Sequence, residues 1–211
     1  MRITVFGATG NVGSRVVAEA LARGHQVTAV LRDPARPHSL PGAATIATGD
    51  ARTAEDVTRL ATGQDVVISA TRPAPGSEGE LATATKGLLA GMAGTGARLL
   101  AVGGAGSLTL PGGGATVIDG PDFPPGWLPI ALACNEQLAL YRADTEVDWA
   151  YLSPAALLEP GVRTGRYRLG RDELVVDADG TSAISMEDLA VALLDEAEQP
   201  AHHRTRFTAA Y

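Results

Sequence analysis

The sequence predicts an α/β fold in which a doubly wound parallel sheet lies between two layers of helices. Two observations support this architecture. Short apolar runs typical of buried strands alternate along the chain with amphipathic helical segments. The first apolar run also ends in a glycine-rich turn that leads directly into a helix. At 211 residues, the chain has the length of one domain, 1–211, with a small C-terminal extension on the substrate side.

Residues 2–32 form one complete βαβ unit in this prediction. An apolar strand at 3–6 breaks at the turn 7–13, with the sequence GATGNVG, and apolar residues then recur at helical spacing up to Gly24. A second strand, 27–31, follows at once. This order is that of a Rossmann-type dinucleotide-binding unit, in which the helix N-terminus points at the phosphates of the ligand. A glycine turn without a ligand is the alternative.

The remaining elements follow from apolar periodicity and from helix-capping residues. Thr53 is a predicted N-cap, and Ser185 is another, with Asp188 completing a variant of the capping box. The last strand is expected at a sheet edge, and two short runs near the C-terminus are expected to pair as a hairpin. The predicted helices are 54–60, 81–93, 130–141 and 189–197; the predicted strands are 44–47, 66–70, 97–102, 147–152 and 206–209, and the hairpin runs are 166–169 and 173–176.

Each glycine of the turn has a separate predicted role. Gly7 permits the tight turn out of the strand, Gly10 lets the backbone approach a pyrophosphate, and Gly13 lets the helix pack against the strand. The phosphate-binding residues are therefore predicted to be Gly7, Thr9, Gly10, Asn11 and Val12.

The residue that ends the second strand decides the cofactor type. An NAD site usually has an acidic residue there, which binds the ribose 2′-hydroxyl. Here the strand runs into Arg32, followed by Asp33 one residue late and then by Arg36. A guanidinium suits a 2′-phosphate, so the sequence predicts NADPH in preference to NADH. The alternative is that Arg32 is only a solvated residue at a strand end.

Four segments give the chain a family resemblance: GATGNVG at 7–13, VTAVLRDP at 27–34, TGD at 48–50 and the C-terminal run 153–198. Together they resemble the atypical short-chain dehydrogenase/reductases, which include NmrA-like proteins, the biliverdin/flavin reductase B type and bacterial NADH-flavin reductase-like proteins. The resemblance covers nearly the whole chain and implies a reductase that uses a nicotinamide cofactor.

The resemblance also implies roles for two further pairs of residues. Asp50 and Ala51 would approach the adenine ring, although an aspartate after glycine is equally typical of a plain turn. Ser153 and Pro154 would pass the nicotinamide side of the cofactor.

The strand ends supply the rest of the predicted site, because ligands of doubly wound sheets bind beyond the carboxyl ends of the strands. Ala70 and Thr71 are expected to flank the cofactor ribose, with Gly103 and Gly104 at the next strand end. Arg72 could form a salt bridge with a substrate or a phosphate, or could be a loop arginine in water.

Residues 108–129 form a long irregular segment rich in glycine and proline, and with 154–182 they are predicted to form a lid on the substrate side. Phe123 and Trp127 lie in this segment, in a chain with 3 Phe and 2 Trp. They are candidates for stacking on a flat substrate, with anchoring of the loop as the equal alternative.

Typical members of the reductase superfamily use a Tyr-x-x-x-Lys pair with a nearby serine, but this chain lacks the pair. Thr145 follows Tyr141 at the lysine position, and Gly103 and Gly104 stand where the serine would be. Ser107 is the nearest hydroxyl, and Tyr141 is an alternative acid. The acceptor is therefore predicted to need little protein acid, as a flavin or quinone ring does. Two other functions stay open: an NmrA-like redox sensor without turnover, and a tailoring ketoreductase acting on a polycyclic aromatic carbonyl.

Composition limits the partners. The net charge of −7 and a single lysine argue against direct nucleic-acid binding. One cysteine, Cys134, excludes an intrachain disulfide and a cysteine-based metal cluster, and no metal site is predicted at His202 and His203. No apolar run reaches about 18 residues, so the expectation is a cytoplasmic protein, a monomer or homodimer, that binds a small aromatic molecule.

Overall fold

The computed structural model describes residues 1–35 and 38–211, so Arg36 of the predicted cofactor loop lies outside the described residues. Two short 3₁₀ turns, Val117–Asp119 and Pro125–Trp127, lie in the segment before the fourth helix. The strands are β1 Arg2–Phe6, β2 Gln26–Leu31, β3 Thr45–Thr48, β4 Val66–Ser69, β5 Arg98–Val102, β6 Trp149–Pro154, β7 Leu157–Glu159, β8 Arg168–Gly170, β9 Ala183–Ser185 and β10 Thr205–Ala210; the helices are α1 Asn11–Ala22, α2 Ala54–Ala61, α3 Glu80–Met92, α4 Leu128–Ala143 and α5 Met186–Glu198.

The main sheet has the strand order β3-β2-β1-β4-β5-β6-β10-β8, and all neighbours are parallel except β10 and β8. The order reverses between β1 and β4, whose residues Phe6 and Ser69 are paired at the carboxyl ends. A reversal of this kind opens a crevice beyond the strand ends, where ligands of doubly wound sheets bind. The predicted architecture is confirmed.

Two apolar clusters cover the two faces of the sheet and make the fold three-layered. Helices α1 and α5 pack together over one face, against buried residues such as Ile3, Leu100 and Phe207. Helices α2, α3 and α4 cover the other face, where Trp149 and Tyr151 of β6 are buried. In the described part of the chain no helix is both long enough and apolar enough to cross a bilayer.

The predicted C-terminal hairpin is wrong, and so is the edge position of the last strand. Strand β10 lies between β6 and β8, and β8 pairs with β10 rather than with residues 173–176. Glu173 instead forms an isolated bridge with Thr109. Gly170 explains the close pairing of β8, since a Cβ there would lie 3.0 Å from Thr208 Cγ2. Short runs carry a strand signal, but they do not specify a distant partner.

The segment between β7 and β9 is fastened to the helices α1 and α5. Arg163 donates to both carboxylate oxygens of Glu19, which is 8% exposed, at 2.7 and 2.8 Å. The carboxylate of Asp188 accepts from Thr164 and Gly165 and from the Tyr211 hydroxyl.

The two predicted N-caps have different outcomes. Ser185 caps α5 as predicted, because its Oγ accepts the N–H of Asp188 at 3.0 Å. The reciprocal half of that capping box is wrong, since the Ser185 N–H donates to Tyr211 and not to Asp188. Thr53 occupies the N-cap position of α2 without a capping hydrogen bond from its side chain.

Candidate functional site

The glycine turn is held by contacts that no other residue allows. Gly7 has φ +75°, and a Cβ on it would lie 2.5 Å from the carbonyl oxygen of Ala70. A Cβ on Gly13 would lie 2.1 Å from the carbonyl oxygen of Gly7, so the first turn of α1 rests directly on the turn backbone. These contacts confirm the tight turn predicted at Gly7, while Gly13 packs against the turn backbone rather than against the strand itself.

The N-terminus of α1 is open to a ligand. Gly10 is the N-cap and supplies no capping side chain, and a Cβ there would meet Gly7 O at 3.2 Å. Thr9, Gly10 and Asn11 are exposed, and Val12 is partly exposed. The first N–H groups of a 12-residue helix thus point outward with the positive end of its dipole, which fits a pyrophosphate. A cleft of about 370 Å³ borders this turn, lined by Thr9, Ser14, His38, Ser39 and Leu40.

The end of β2 lies beside the end of β3 and the start of α3. Arg32 follows β2 and is exposed, with its Nη1 3.8 Å from a carboxylate oxygen of Glu80. The carboxylate of Asp50 accepts from the backbone N–H and the guanidinium of Arg52, and these contacts hold the pKa of Asp50 below its usual value. Ala51 is buried against α3. The residues predicted for the adenosine end of the cofactor therefore lie together.

The ends of β4 and β5 form the middle of the crevice. Ala70 and Thr71 pack their backbone against Gly7, so this part of the site is continuous with the glycine turn. Gly103 follows β5, and a Cβ there would lie 1.9 Å from Cζ of Tyr151. The Tyr151 hydroxyl accepts from the N–H of Gly104 at 3.4 Å. A tyrosine from β6 therefore fills the space beside both glycines.

Tyr151 is a core residue and not a catalytic acid. Its hydroxyl lies 3.0 Å from the carbonyl oxygen of Cys134 and 3.1 Å from Oε1 of Gln137, and burial raises its pKa well above the usual value. Burial also raises the pKa of the Cys134 thiol to about 11, so this thiol is not a ready nucleophile.

Ser153 and Pro154 lie inside β6, which extends two residues beyond the predicted strand. Ser153 is fully buried, and its Oγ has no hydrogen-bond partner among the described residues. Both residues are buried, so neither offers an exposed side chain for the predicted contact with the nicotinamide side of the cofactor.

The two candidate proton donors do not reach the crevice as free acids. Tyr141 is fully buried between Trp149 and Tyr151, with ring centroids 5.5 and 5.7 Å away, and burial raises its pKa. This contradicts its assignment as an acid. Ser107 accepts a hydrogen bond at 2.9 Å from Arg206, which is 4% exposed and also pairs with Asp172. Ser107 is thus tied by its side chain to Arg206 of β10.

Arg72 and Trp127 meet at the start of α4. The guanidinium carbon of Arg72 lies 5.4 Å from the centroid of the Trp127 ring, within cation–π range. The Trp127 ring is 57% exposed, and Leu128 and Leu132 of the following helix α4 are also exposed. Phe123 is partly exposed in the segment that precedes them. The structure therefore joins two of the three predicted substrate residues.

Both adjacent histidines contact carboxylates through their ring nitrogens. His202 lies 2.7 Å from Glu196 and stacks on Phe207, while His203 lies 2.9 Å from Asp148. Within residues 1–35 and 38–211, no group of three or more histidine, cysteine, aspartate or glutamate side chains is placed to hold a metal.

The model of the NAD(P)H-binding family matches residues 7–200, from the turn almost to the C-terminus. The chain belongs to the NAD(P)H-binding family. The uncharacterized protein YwnB of Bacillus subtilis (strain 168) is 38% identical over 211 residues, which are 99% of this chain and 97% of that protein.

Two solved structures have the same fold and similar levels of sequence identity to this chain. A candidate epimerase from Bacteroides thetaiotaomicron has a TM-score of 0.89 and 40% identity, with coverage of 100% of this chain and 96% of that chain. A candidate NADH-flavin reductase from Streptococcus pneumoniae TIGR4 has a TM-score of 0.88 and 33% identity, with coverage of 100% and 99%. These neighbours support an oxidoreductase-type enzyme that binds a nicotinamide cofactor.

Three features of this family member were missed by the sequence reasoning: the Tyr151 ring beside Gly103, the Arg206–Ser107 contact, and the approach of Arg52 to Glu80. A pair of glycines directly after a strand was a signal for the first, because such pairs often mark a close approach of another group. Nothing local signalled the second. The position of Arg52 right after Gly49-Asp50-Ala51 was a usable signal for the third.

Proposed function

We propose that the protein is an NADPH-dependent oxidoreductase that transfers a hydride to a small aromatic acceptor, such as a flavin or a quinone, without a Tyr-x-x-x-Lys pair. The observation that supports this most directly is the exposed Trp127 ring under the Arg72 guanidinium at the lid. A flat ring can stack on Trp127, and such aromatic contacts are worth about 1 kcal/mol beyond burial.

The residues that would hold NADPH are those of the crevice. The open N-terminus of α1 and Gly10 would hold the pyrophosphate, and Arg32 would bind the 2′-phosphate. Thr71, Gly103 and Gly104 would border the nicotinamide half. When bound, NADPH supplies the hydride, and the protein supplies orientation and exclusion of water.

Neither candidate acid is free among the described residues, and this supports an acceptor of the flavin or quinone kind. Tyr141 is buried, and the Ser107 hydroxyl is held by Arg206. A ketone acceptor needs a proton delivered to its oxygen as the hydride arrives, whereas a flavin or quinone can take its proton from solvent. Arg72 favours an acceptor that carries an anionic group, because its guanidinium is exposed beside the ring of Trp127.

The testing experiment is a titration with NADPH, followed by nicotinamide fluorescence, with FMN, riboflavin and a quinone then added in turn. Binding followed by oxidation of NADPH on addition of an acceptor is the expected result, with FMN preferred over riboflavin because of its phosphate. The Arg72→Gln variant tests whether Arg72 causes the preference for FMN. Lys86→Gln is its control, since Lys86 is an exposed cation in α3. Binding without oxidation by any acceptor would refute the reductase and favour a redox sensor. Turnover of polycyclic ketones alone would favour a tailoring ketoreductase.

A further inference from the structure

Two arginines at the adenosine end of the crevice converge on one oxygen atom. Nη1 of Arg52 lies 3.3 Å from Oε2 of Glu80, and Nη1 of Arg32 lies 3.8 Å from the same Oε2. The two guanidinium groups come from different strand ends, after β2 and after β3. An anionic oxygen therefore already occupies the point where both positive charges meet.

Close packing of α3 explains why Glu80 reaches this point. A Cβ on Gly87 of α3 would lie 2.4 Å from the carbonyl oxygen of Ala51 and 2.6 Å from the carbonyl carbon of Arg52. The helix thus lies against the backbone that carries Arg52, and Glu80 is its first residue. The approach is set by backbone contact and not by a flexible loop.

The Arg52 guanidinium is also preorganised. Its Nε and Nη2 donate to Oδ2 of Asp50 at 2.9 and 2.6 Å, so one edge of the planar group is fixed. The Nη1 on the opposite side is left for Glu80 and for a ligand. Fixing a planar guanidinium reduces the entropy lost when it binds an anion.

We propose that Arg52 is the second arm of the 2′-phosphate site, together with Arg32, and that the Glu80 carboxylate competes with the phosphate for this position. This inference rests on the proposed NADPH specificity. Glu80 would then be a specificity-determining residue, since its carboxylate competes with a 2′-phosphate and has no such competitor in NADH.

Exposure makes the exchange feasible. The side chains of Arg32 and Glu80 are 63% and 45% exposed, and ion pairs at such exposure contribute little to stability. Breaking them therefore costs little. A 2′-phosphate carries more negative charge than a carboxylate and offers three oxygens, so it binds two guanidiniums more strongly. The displaced carboxylate stays nearby and repels the phosphate.

The experiment compares Arg52→Gln and Glu80→Gln with the unaltered protein by titration with NADPH, NADH and the fragment 2′,5′-ADP. Arg52→Gln is expected to weaken the binding of NADPH and of 2′,5′-ADP about 10-fold and to change the affinity for NADH by less than twofold. Glu80→Gln is expected to tighten the binding of NADPH and of 2′,5′-ADP about fivefold, again without effect on the affinity for NADH. Glu146→Gln is the matched control, because Glu146 is exposed in the turn before β6, at the amino end of that strand and away from the carboxyl ends that carry Arg32 and Arg52.

The inference is overturned if Arg52→Gln leaves NADPH affinity unchanged, or if it weakens NADPH and NADH equally. It is also overturned if Glu80→Gln behaves as Glu146→Gln does. These results are independent of turnover. A protein in which both variants shift 2′,5′-ADP binding as expected, but in which no acceptor oxidises NADPH, would support this subsite and refute the reductase.

Discussion

Placing a serine at Gly103 should destabilise the protein, although the reductases that the sequence resembles typically carry a serine near this position. A Cβ on Gly103 would lie 1.9 Å from Cζ of Tyr151 and 2.1 Å from its hydroxyl oxygen. Carbon atoms in contact are normally about 3.5–4.0 Å apart. Tyr151 is 1% exposed and packs against Tyr141, so its ring has no free space to enter. The variant must shift either the ring or the end of β5 by more than 1 Å.

The cost has two parts. Overpacking of a well-packed core typically costs about 1–3 kcal/mol. Displacing the Tyr151 hydroxyl also breaks its hydrogen bonds to the carbonyl oxygen of Cys134 and to Oε1 of Gln137. The loss of a buried hydrogen bond costs about 1 kcal/mol. We expect Gly103→Ser to lower the free energy of unfolding by about 3 kcal/mol, measured by urea denaturation. Gly42→Ser is the control, with an expected change within about 0.5 kcal/mol, since no described atom lies within 4 Å of a Cβ there.

A double-mutant cycle tests the cause of this loss. Tyr151→Val should itself cost about 3 kcal/mol through the cavity it leaves. In the Tyr151→Val background the added serine should cost much less, so the coupling energy should reach about 2 kcal/mol. Strict additivity of the two substitutions, or a Gly103→Ser protein as stable as Gly42→Ser, would refute the reasoning.

Three further outcomes are expected. Arg32→Glu should weaken NADPH binding by about 10- to 100-fold and leave NADH nearly unaffected; equal loss for both cofactors would contradict a 2′-phosphate site. Trp127→Ala should raise KM for the aromatic acceptor about 10-fold at unchanged NADPH affinity, and an unchanged KM would exclude stacking on this ring. Hydrogen bonds from Arg163 and Arg23 lower the pKa of Glu19 from 4.5 to about 2, so this carboxylate stabilises the fold above pH 4.5 and loses its contribution as the pH falls toward 2. Because Arg163 is half exposed, the loss is on the order of 1–2 kcal/mol, and acid titration of Glu19→Gln should lack it.

The parts of the fold that were predictable are those that local sequence determines. The turn 7–13 was predictable because Gly7 and Gly13 lie close together in one βαβ unit. Each of these glycines is required by contacts within that unit or next to it. Amphipathic periods likewise located all five helices in the described residues to within a few positions. Ser185 was recognisable as a cap because its partner lies three residues away.

The parts that failed depend on contacts between distant residues. Arg206 reaches Ser107 across 99 positions, and no local pattern reveals that the hydroxyl is already bound. Tyr141 is the last residue of a predicted helix, and the packing of α4 against Trp149 of β6 buries it. Glu80 and Arg52 belong to separate elements that only the docking of α3 brings together.

These contacts lead to an expectation for the pH dependence of catalysis. The thiol of Cys134 has a pKa raised to about 11, and burial raises the pKa values of Tyr141 and Tyr151 above their usual range. None of these three groups changes charge between pH 6 and 9. With hydride transfer to a flavin or quinone and a proton taken from solvent, kcat should therefore stay level across this range. Tyr141→Phe should leave kcat unchanged, since its hydroxyl has no partner among the described residues. A bell-shaped profile would show that a protein acid takes part after all, and its loss in Tyr141→Phe would identify that acid.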